Sequence, residues 1–385
     1  MMTPLWRSLL LAAGAALAFG FFAGTKPADA IPIFAQRYLL KCEACHSVLP
    51  ELNAFGNAFR DAGYRLPPSA DRHGTTVVAL RYQLEYEKDP AAGNRRWTPG
   101  GVLLSNADIG DVSYFLHYNL GAGGGPSALF LGYFALANEH TRSLFRAGQY
   151  ELPLPHSPSQ RLDDLQPYGY EATHVGLNDL PLTSPRIGLQ GQRDIGDGRL
   201  AMTVAVQDFK GAAYGGKPLD TGEFTRPSVP ELGIFYTQKI ARGLAAGVEE
   251  LDGVQSITQT GKSYSFGDRY RRTGVWAGYE STHVDLLAQQ WWGSDSNADG
   301  LGNALGSSGG FVRFRYWPLR WHHAFVGVRY DAAANPIATR DWVFYTGFQA
   351  TRHARIVLQR VQQTNGSPGH FGGALTFGFP WPLGY

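Results

Sequence analysis

The chain of 385 residues has two cysteines, Cys42 and Cys45, and a histidine, His46, follows the second directly in the segment KCEACHS. C-x-x-C-H is the attachment signature of a c-type haem. Two thiols three residues apart sit one helical turn apart and reach both vinyl groups of one haem edge. The next residue then places an imidazole under the iron as proximal ligand. A thioredoxin-like pair would need a βαβ setting, and none surrounds these cysteines. A zinc site needs four ligands, and no second Cys/His cluster lies nearby. The expected cofactor is one covalent haem c on Cys42, Cys45 and His46.

The flanking residues suit a haem pocket. Ile33, Phe34, Tyr38, Leu39 and Leu40 precede the motif. After Pro50, the residues Leu52, Phe55 and Phe59 recur at three- and four-residue spacing, one apolar face of a helix that Gly63 is placed to end. Arg37, Lys41, Arg60 and Arg65 are cations that either pair with propionates or are solvated. The sixth iron ligand is left open. Met202 is the one methionine beyond the first two residues, and it shares the face of Leu200, Val204 and Val206 in LAMTVAVQD. That face reads as lipid-directed, which makes Met202 a poor ligand; His73 and His117 are the other candidates, and a solvent-accessible or vacant sixth position stands equally beside them.

Composition says what must position this motif. The chain has 48 Gly, 19 Tyr, 22 Phe and 9 Trp, only 17% charged residues and a net charge of +2. That charge gives no footprint for nucleic acid, and the apolar content excludes disorder. No run of twenty apolar residues occurs beyond the first thirty, which excludes a helical membrane bundle. Arg7, the apolar stretch Ser8 to Ala23 and the small residues Ala28-Asp29-Ala30 read as a secretory signal over 1–30, with Ile31 starting the mature chain. The expected organisation is a signal peptide at 1–30, a monohaem cytochrome c-like segment at 31–72 and a β-barrel at 73–385. In fold class the chain is mainly β: a small α-helical haem segment followed by a transmembrane antiparallel barrel of about 16 strands.

The barrel reading rests on period-two alternation. Val78, Leu80, Tyr82, Leu84 and Tyr86 alternate with Ala79, Arg81, Gln83 and Glu85, and Val312, Phe314 and Tyr316 alternate with Arg313 and Arg315. Sixteen candidate strands begin near residues 75, 102, 112, 128, 142, 186, 199, 231, 244, 269, 283, 310, 322, 341, 354 and 371. Roughly 20 residues per strand plus connection is what a membrane barrel with 9–11-residue spans needs. Short connections (NEHT, GDGR, ARG, PLRW) alternate with long ones at 89–100, 153–185, 211–230 and 252–268, the outer-membrane pattern. Arg81, Glu85, Arg313, Arg315 and Arg329 form a charged inward set, which implies a wet lumen. The longest loop carries His156, Asp163, Asp164, Tyr168, Tyr170, Glu171, His174 and Asp179. It either folds inward as a constriction or covers the outer surface, and its acids and histidines could hold a divalent metal transiently.

A haem c segment running into such a barrel resembles the fused monohaem cytochrome–porins of bacterial outer membranes, best known from iron-oxidising bacteria. The residues that carry the likeness are Phe34-Ala35, Cys42, Cys45, His46, Pro50, Leu52, Asn53, Phe55, Gly56, Phe59, Gly63 and Tyr64. The resemblance implies an electron conduit through the outer membrane, with the haem segment on the periplasmic side or within the lumen. It implies outer-membrane lipid, an extracellular reduced metal ion, Fe(II) first, and a periplasmic electron-carrier cytochrome as partners, and one-electron oxidation as the reaction. The competing reading is a solute-transport porin whose haem-bearing segment is a plug or sensor.

Overall fold

The computed structural model describes residues 34, 38, 40, 42–48, 51–66, 77–89, 94–109, 111–122, 127–138, 140–157, 167–172, 174–178, 180–208, 223–225, 229–258, 265–318, 324–334, 338–351, 354–364 and 369–381. The expected signal segment and His73 lie outside them.

Sixteen antiparallel strands close into a barrel. The first five are β1 (Val77–Asp89), β2 (Asn94–Ile109), β3 (Val112–Ala122), β4 (Ala128–Asn138) and β5 (Ser143–Tyr150). Then come β6 (Arg186–Ile195), β7 (Gly198–Asp208), β8 (Glu231–Ala241), β9 (Leu244–Thr258) and β10 (Ser265–Glu280). The last six are β11 (Val284–Asp295), β12 (Leu305–Tyr316), β13 (Ala324–Ala334), β14 (Ala338–Thr351), β15 (Ala354–Gln363) and β16 (Phe371–Trp381). Each strand pairs with its neighbours in sequence, and β16 closes on β1 through pairs such as Leu375 with Leu84. A short piece, Glu223–Thr225, adds to the edge of β9.

The alternation resolves into two faces of opposite polarity. Met202, Ile234, Val248, Val312, Phe314, Phe344 and Leu358 are exposed, whereas Arg146, Arg186, Glu231, Arg272, Arg313, Arg315 and Arg329 are buried. A soluble sandwich would do the reverse. The pattern is that of a barrel whose outer face meets lipid and whose polar side chains point into the lumen. Exposed aromatics mark both rims: Trp97, Trp292 and Trp342 at the end with long connections, Tyr279 and Tyr316 at the other. The lipid-directed reading of Met202 holds, with the side chain 53% exposed.

Two expected long loops are shorter than the sequence suggested. The 89–100 segment is mostly strand, because β2 already begins at Asn94 and pairs Arg96 with Glu87. In the 252–268 segment, β9 continues to Thr258 and β10 starts at Ser265, in register through Val254 with Arg269. Both stretches mix charged residues, Gly and Thr, which read as loop; these rims extend beyond the apolar belt, where polar strand residues face water. In the long connection between β5 and β6, the described residues 151–157, 167–172, 174–178 and 180–185 fold into the lumen.

Val312 lies between the two aromatic rims on the lipid face. Val312→Arg is expected to destabilise the barrel by about 2–4 kcal/mol in urea titrations in lipid vesicles. A loss below about 0.5 kcal/mol would contradict the assigned face.

Candidate functional site

The cysteine motif forms a single helical turn, α1 (Cys42–Cys45), and His46 starts a short strand His46–Val48 that turns back to pair with Glu51–Leu52. Asn53 then caps the helix α2 (Ala54–Asp61): its Oδ1 accepts the Gly56 N–H at 2.9 Å. The same residue ties α2 to the motif, because its N–H donates to the Cys45 carbonyl at 2.9 Å and its Nδ2 to the Ala44 carbonyl at 3.2 Å. Gly56 lies so close to the motif that a Cβ there would fall 2.0 Å from the Cys45 oxygen. Any larger residue would separate helix and motif.

This unit sits inside the barrel against β3–β5. Ser113 Oγ donates to the Gly63 carbonyl at 2.9 Å, and Arg146 donates to the Arg60 carbonyl at 2.7 Å. Arg65 reaches the Asp111 carbonyl at the short β2–β3 turn. Phe34, Tyr38, Phe59 and Tyr64 pack with Phe115 and Tyr133 of the wall, Phe34 stacking on Tyr64 at 4.5 Å and Tyr64 on Phe115 at 5.0 Å. The expected apolar face of α2 is only partly used. Phe59 is buried, while Phe55 stays 43% exposed inside the lumen beside the motif.

Those features suit a porphyrin. Cys45 and His46 are half-buried, Phe55 offers uncovered apolar surface next to them, and thiol plus imidazole is the right donor chemistry for covalent haem c. Burial pushes the Cys45 thiol up.

The inward loop occupies the opposite side. Tyr168 is fully buried; its hydroxyl accepts from Arg313 at 2.7 Å, and the Arg329 guanidinium lies 4.1 Å from its ring centroid. Arg329 also donates to the Pro167 carbonyl and pairs with Asp331 at 2.8 Å. Asp285 takes both Arg313 and Arg315, at 3.0 and 2.9 Å. Tyr170 meets Ser307 at 3.0 Å, and His156 contacts Glu171 at 2.9 Å. The inward arginines Arg313, Arg315 and Arg329 therefore face the lumen, but Arg313 and Arg329 grip the loop, and Arg315 shares the wall carboxylate Asp285 with Arg313. Between loop and plug remains a cavity of about 190 Å³, bounded by Leu52 and Asn57 of the plug, His156 of the loop, and Trp276, Glu280 and Arg313 of the wall.

Of the sequence-predicted loop residues, His156, Tyr168, Tyr170 and Glu171 come together, His174 is exposed, and Asp163, Asp164 and Asp179 lie outside the described residues. Among the described residues no three His, Cys, Asp or Glu side chains converge on one point. His117 is buried on the lumenal face of β3 beside Phe130, bonded to Asn119. Sequence reasoning missed Ser113 and Arg146, which dock the plug, and Asp285, the shared acid. Ser113 and Arg146 could be assigned inward by strand parity, but their partners lie 50 and 86 residues away.

No known family profile matches this chain, and no curated protein does. Solved structures do. An anion-selective porin from Comamonas acidovorans is similar at 11% identity and a TM-score of 0.55, over 80% of this chain and 99% of the porin. The outer membrane channel DcaP of Acinetobacter baumannii is 13% identical with a TM-score of 0.53, over 79% and 96%. Salmonella typhi OmpF, in complex with daunomycin, is 11% identical with a TM-score of 0.54, over 79% and 97%. The fold is thus that of a porin-type barrel, spanned almost end to end.

Gly56→Ala is expected to unseat α2 from the motif at an overpacking cost of roughly 1–3 kcal/mol. Limited proteolysis should then cut within 42–66 about tenfold faster, with heat-modifiable barrel migration unchanged. Unaltered cleavage would mean that the helix–motif contact is not what holds the plug.

Proposed function

We propose that this chain is an outer-membrane electron conduit: a porin-type barrel whose lumenal plug carries one covalent haem c on Cys42 and Cys45, with His46 as proximal ligand. The observation that carries the reading is the position of the C-x-x-C-H turn inside the lumen, tied by Asn53 to α2, whose C-terminal end Ser113 and Arg146 hold against the wall. A haem c bound there supplies a one-electron iron couple. The chain's own residues do the rest. Cys42 and Cys45 prevent loss of the group, Asn53 and Gly56 fix the turn against its helix, and Phe55 offers an apolar cover. Tyr168, Arg313 and Arg329 hold the loop that narrows the lumen from the other side.

One haem cannot by itself bridge roughly 30 Å of hydrocarbon. A centre inside the lumen can be approached by a small donor from the long-loop end and by a protein carrier from the short-turn end. The donor assigned first is Fe(II): it leaves as Fe(III), one electron passes to a periplasmic cytochrome, and no bond is made or broken. The choice of Fe(II), the carrier and the orientation with long loops outward rest on the sequence resemblance and on the alternation of connection lengths.

The fold likeness favours a second reading, a solute porin in which the haem-bearing segment is a plug or sensor. The space left between plug and loop would be its passage.

Two measurements separate the readings. Under the conduit, anaerobic stopped-flow mixing with Fe(II) reduces the haem, and planar-bilayer conductance stays well below that of an open sixteen-strand pore. Deleting residues 31–66 raises that conductance by about tenfold or more, because porins of this strand number otherwise leave an aqueous channel. A large wild-type conductance, with a haem that dithionite reduces and Fe(II) does not, would replace the conduit by the porin reading.

A further inference from the structure

The connection from β11 to β12 reads Asp295-Ser296-Asn297-Ala298-Asp299-Gly300-Leu301-Gly302-Asn303. Side-chain oxygens at the first, third and fifth positions with Gly at the sixth are the opening of a calcium loop. There those oxygens and the seventh main-chain carbonyl surround the ion, and the glycine makes the sharp turn. Gly300 has the required left-handed backbone, φ +71°. The twelfth position, where such loops place a bidentate Glu, is Gly306. A neighbouring strand stands in for it. Asp268 of β10 is fully buried against the loop, and its Oδ1 accepts the Asn297 N–H at 2.7 Å.

An independent sign of a missing cation lies on Asp295. The side chain is 1% exposed; Arg272 holds its Oδ1 at 2.7 Å, while its Oδ2 is buried with no guanidinium, amide or hydroxyl donor, and the Asp268 carboxyl lies within hydrogen-bonding reach of the side chain. Asp268 and Asp295 also share a single amide, Asn178 Nδ2, at 2.8 and 3.1 Å. Two buried carboxylates bridged by one neutral amide, with one oxygen lacking such a donor, are under-compensated by Arg272 alone. The donors are all oxygens, which selects a hard cation over a transition metal.

We propose that this loop and Asp268 bind one calcium ion at the long-loop end of the barrel. Asp268 and Asp295 are in place. Asn297, whose Oδ1 accepts the Gly302 N–H at 2.6 Å, and Asp299, exposed and accepting from the N–H groups of Leu301 and Asn303 at 2.8 and 3.3 Å and from Asn303 Nδ2 at 2.6 Å, must both turn inward to join them. Half a turn of the Asn178 amide, whose two ends have the same shape, presents its oxygen instead of its nitrogen. The Leu177 N–H donates to the Ala298 carbonyl at 2.6 Å, so the ion clamps the arm of the lumenal loop that returns to β6. The site is independent of whether the plug carries a haem.

The test uses the full chain, refolded in detergent free of lipopolysaccharide, stripped with EDTA and titrated calorimetrically with Ca²⁺ and, separately, Mg²⁺. The expected result is one Ca²⁺ site of Kd about 10⁻⁴–10⁻³ M, the range of extracellular modules, with Mg²⁺ at least about tenfold weaker. Asp299→Asn, at an exposed position that leaves folding intact, should weaken Ca²⁺ by about tenfold or more, and Asp295→Asn should abolish binding. Saturating Ca²⁺ should raise the unfolding temperature of the wild type but not of Asp295→Asn. Absence of saturable Ca²⁺ binding by the wild type, or wild-type affinity in both variants, would overturn the proposal.

Discussion

In hydrocarbon no water is available to satisfy a backbone amide, so a sheet can span lipid only if it closes on itself. This chain meets the constraint with sixteen strands and the β16–β1 closure. Closure at that strand number has a consequence for the interior: the lumen is too wide for wall side chains to fill. It is left to water or to other backbone, and in this chain other backbone enters it. The described parts of the plug (within 34–66) and of the loop (within 151–185) enter from opposite sides, and both are held by contacts with the wall.

The two fillers are held by different physics. The plug is mainly an aromatic assembly, Phe34, Tyr38, Phe59 and Tyr64 against Phe115 and Tyr133, steered by main-chain acceptors at Arg60 and Gly63. The loop is held by charge. Buried Arg313 and Arg329 would be severely destabilising if unpaired, and Asp285, Asp331, Tyr168 and the Pro167 carbonyl pair them. Removing the loop would leave Asp285 and Asp331 in place but take away the Tyr168 hydroxyl and the Pro167 carbonyl, so the loop completes a charged cluster that the wall begins. Elsewhere in the wall Arg186, Glu231 and Tyr270 make a similar closed group, with the guanidinium bound to both carboxylate oxygens at 2.7 and 3.2 Å.

Much of this was legible in the sequence because barrel strands report their own faces. Met202 beside Val204, and Arg313 and Arg315 between Val312, Phe314 and Tyr316, give inside and outside by parity alone. Strand starts at 112, 128, 186, 231, 244, 354 and 371 match, since Gly, Asp or Pro punctuation precedes most of them. The start expected near 102 misses by eight residues because the rim of β2, NRRWTPGG, pairs in water without an apolar period. The interior was far less legible. Nothing in KCEACHS says that the turn lies inside the barrel, and nothing near Arg313 names Tyr168 as its partner 145 residues away. Those contacts are set by closure, which brings together positions that no local pattern connects.

The central claim is that the turn at 42–46 carries a covalent haem inside a porin-type barrel. Mass spectrometry of the peptide spanning these residues, from protein matured in a periplasm competent for cytochrome c assembly, tests it most directly. The account predicts one haem joined by two thioethers, at Cys42 and Cys45, with the purified barrel retaining its absorbance after denaturation. Free thiols or a Cys42–Cys45 disulfide in the natively matured protein would contradict it.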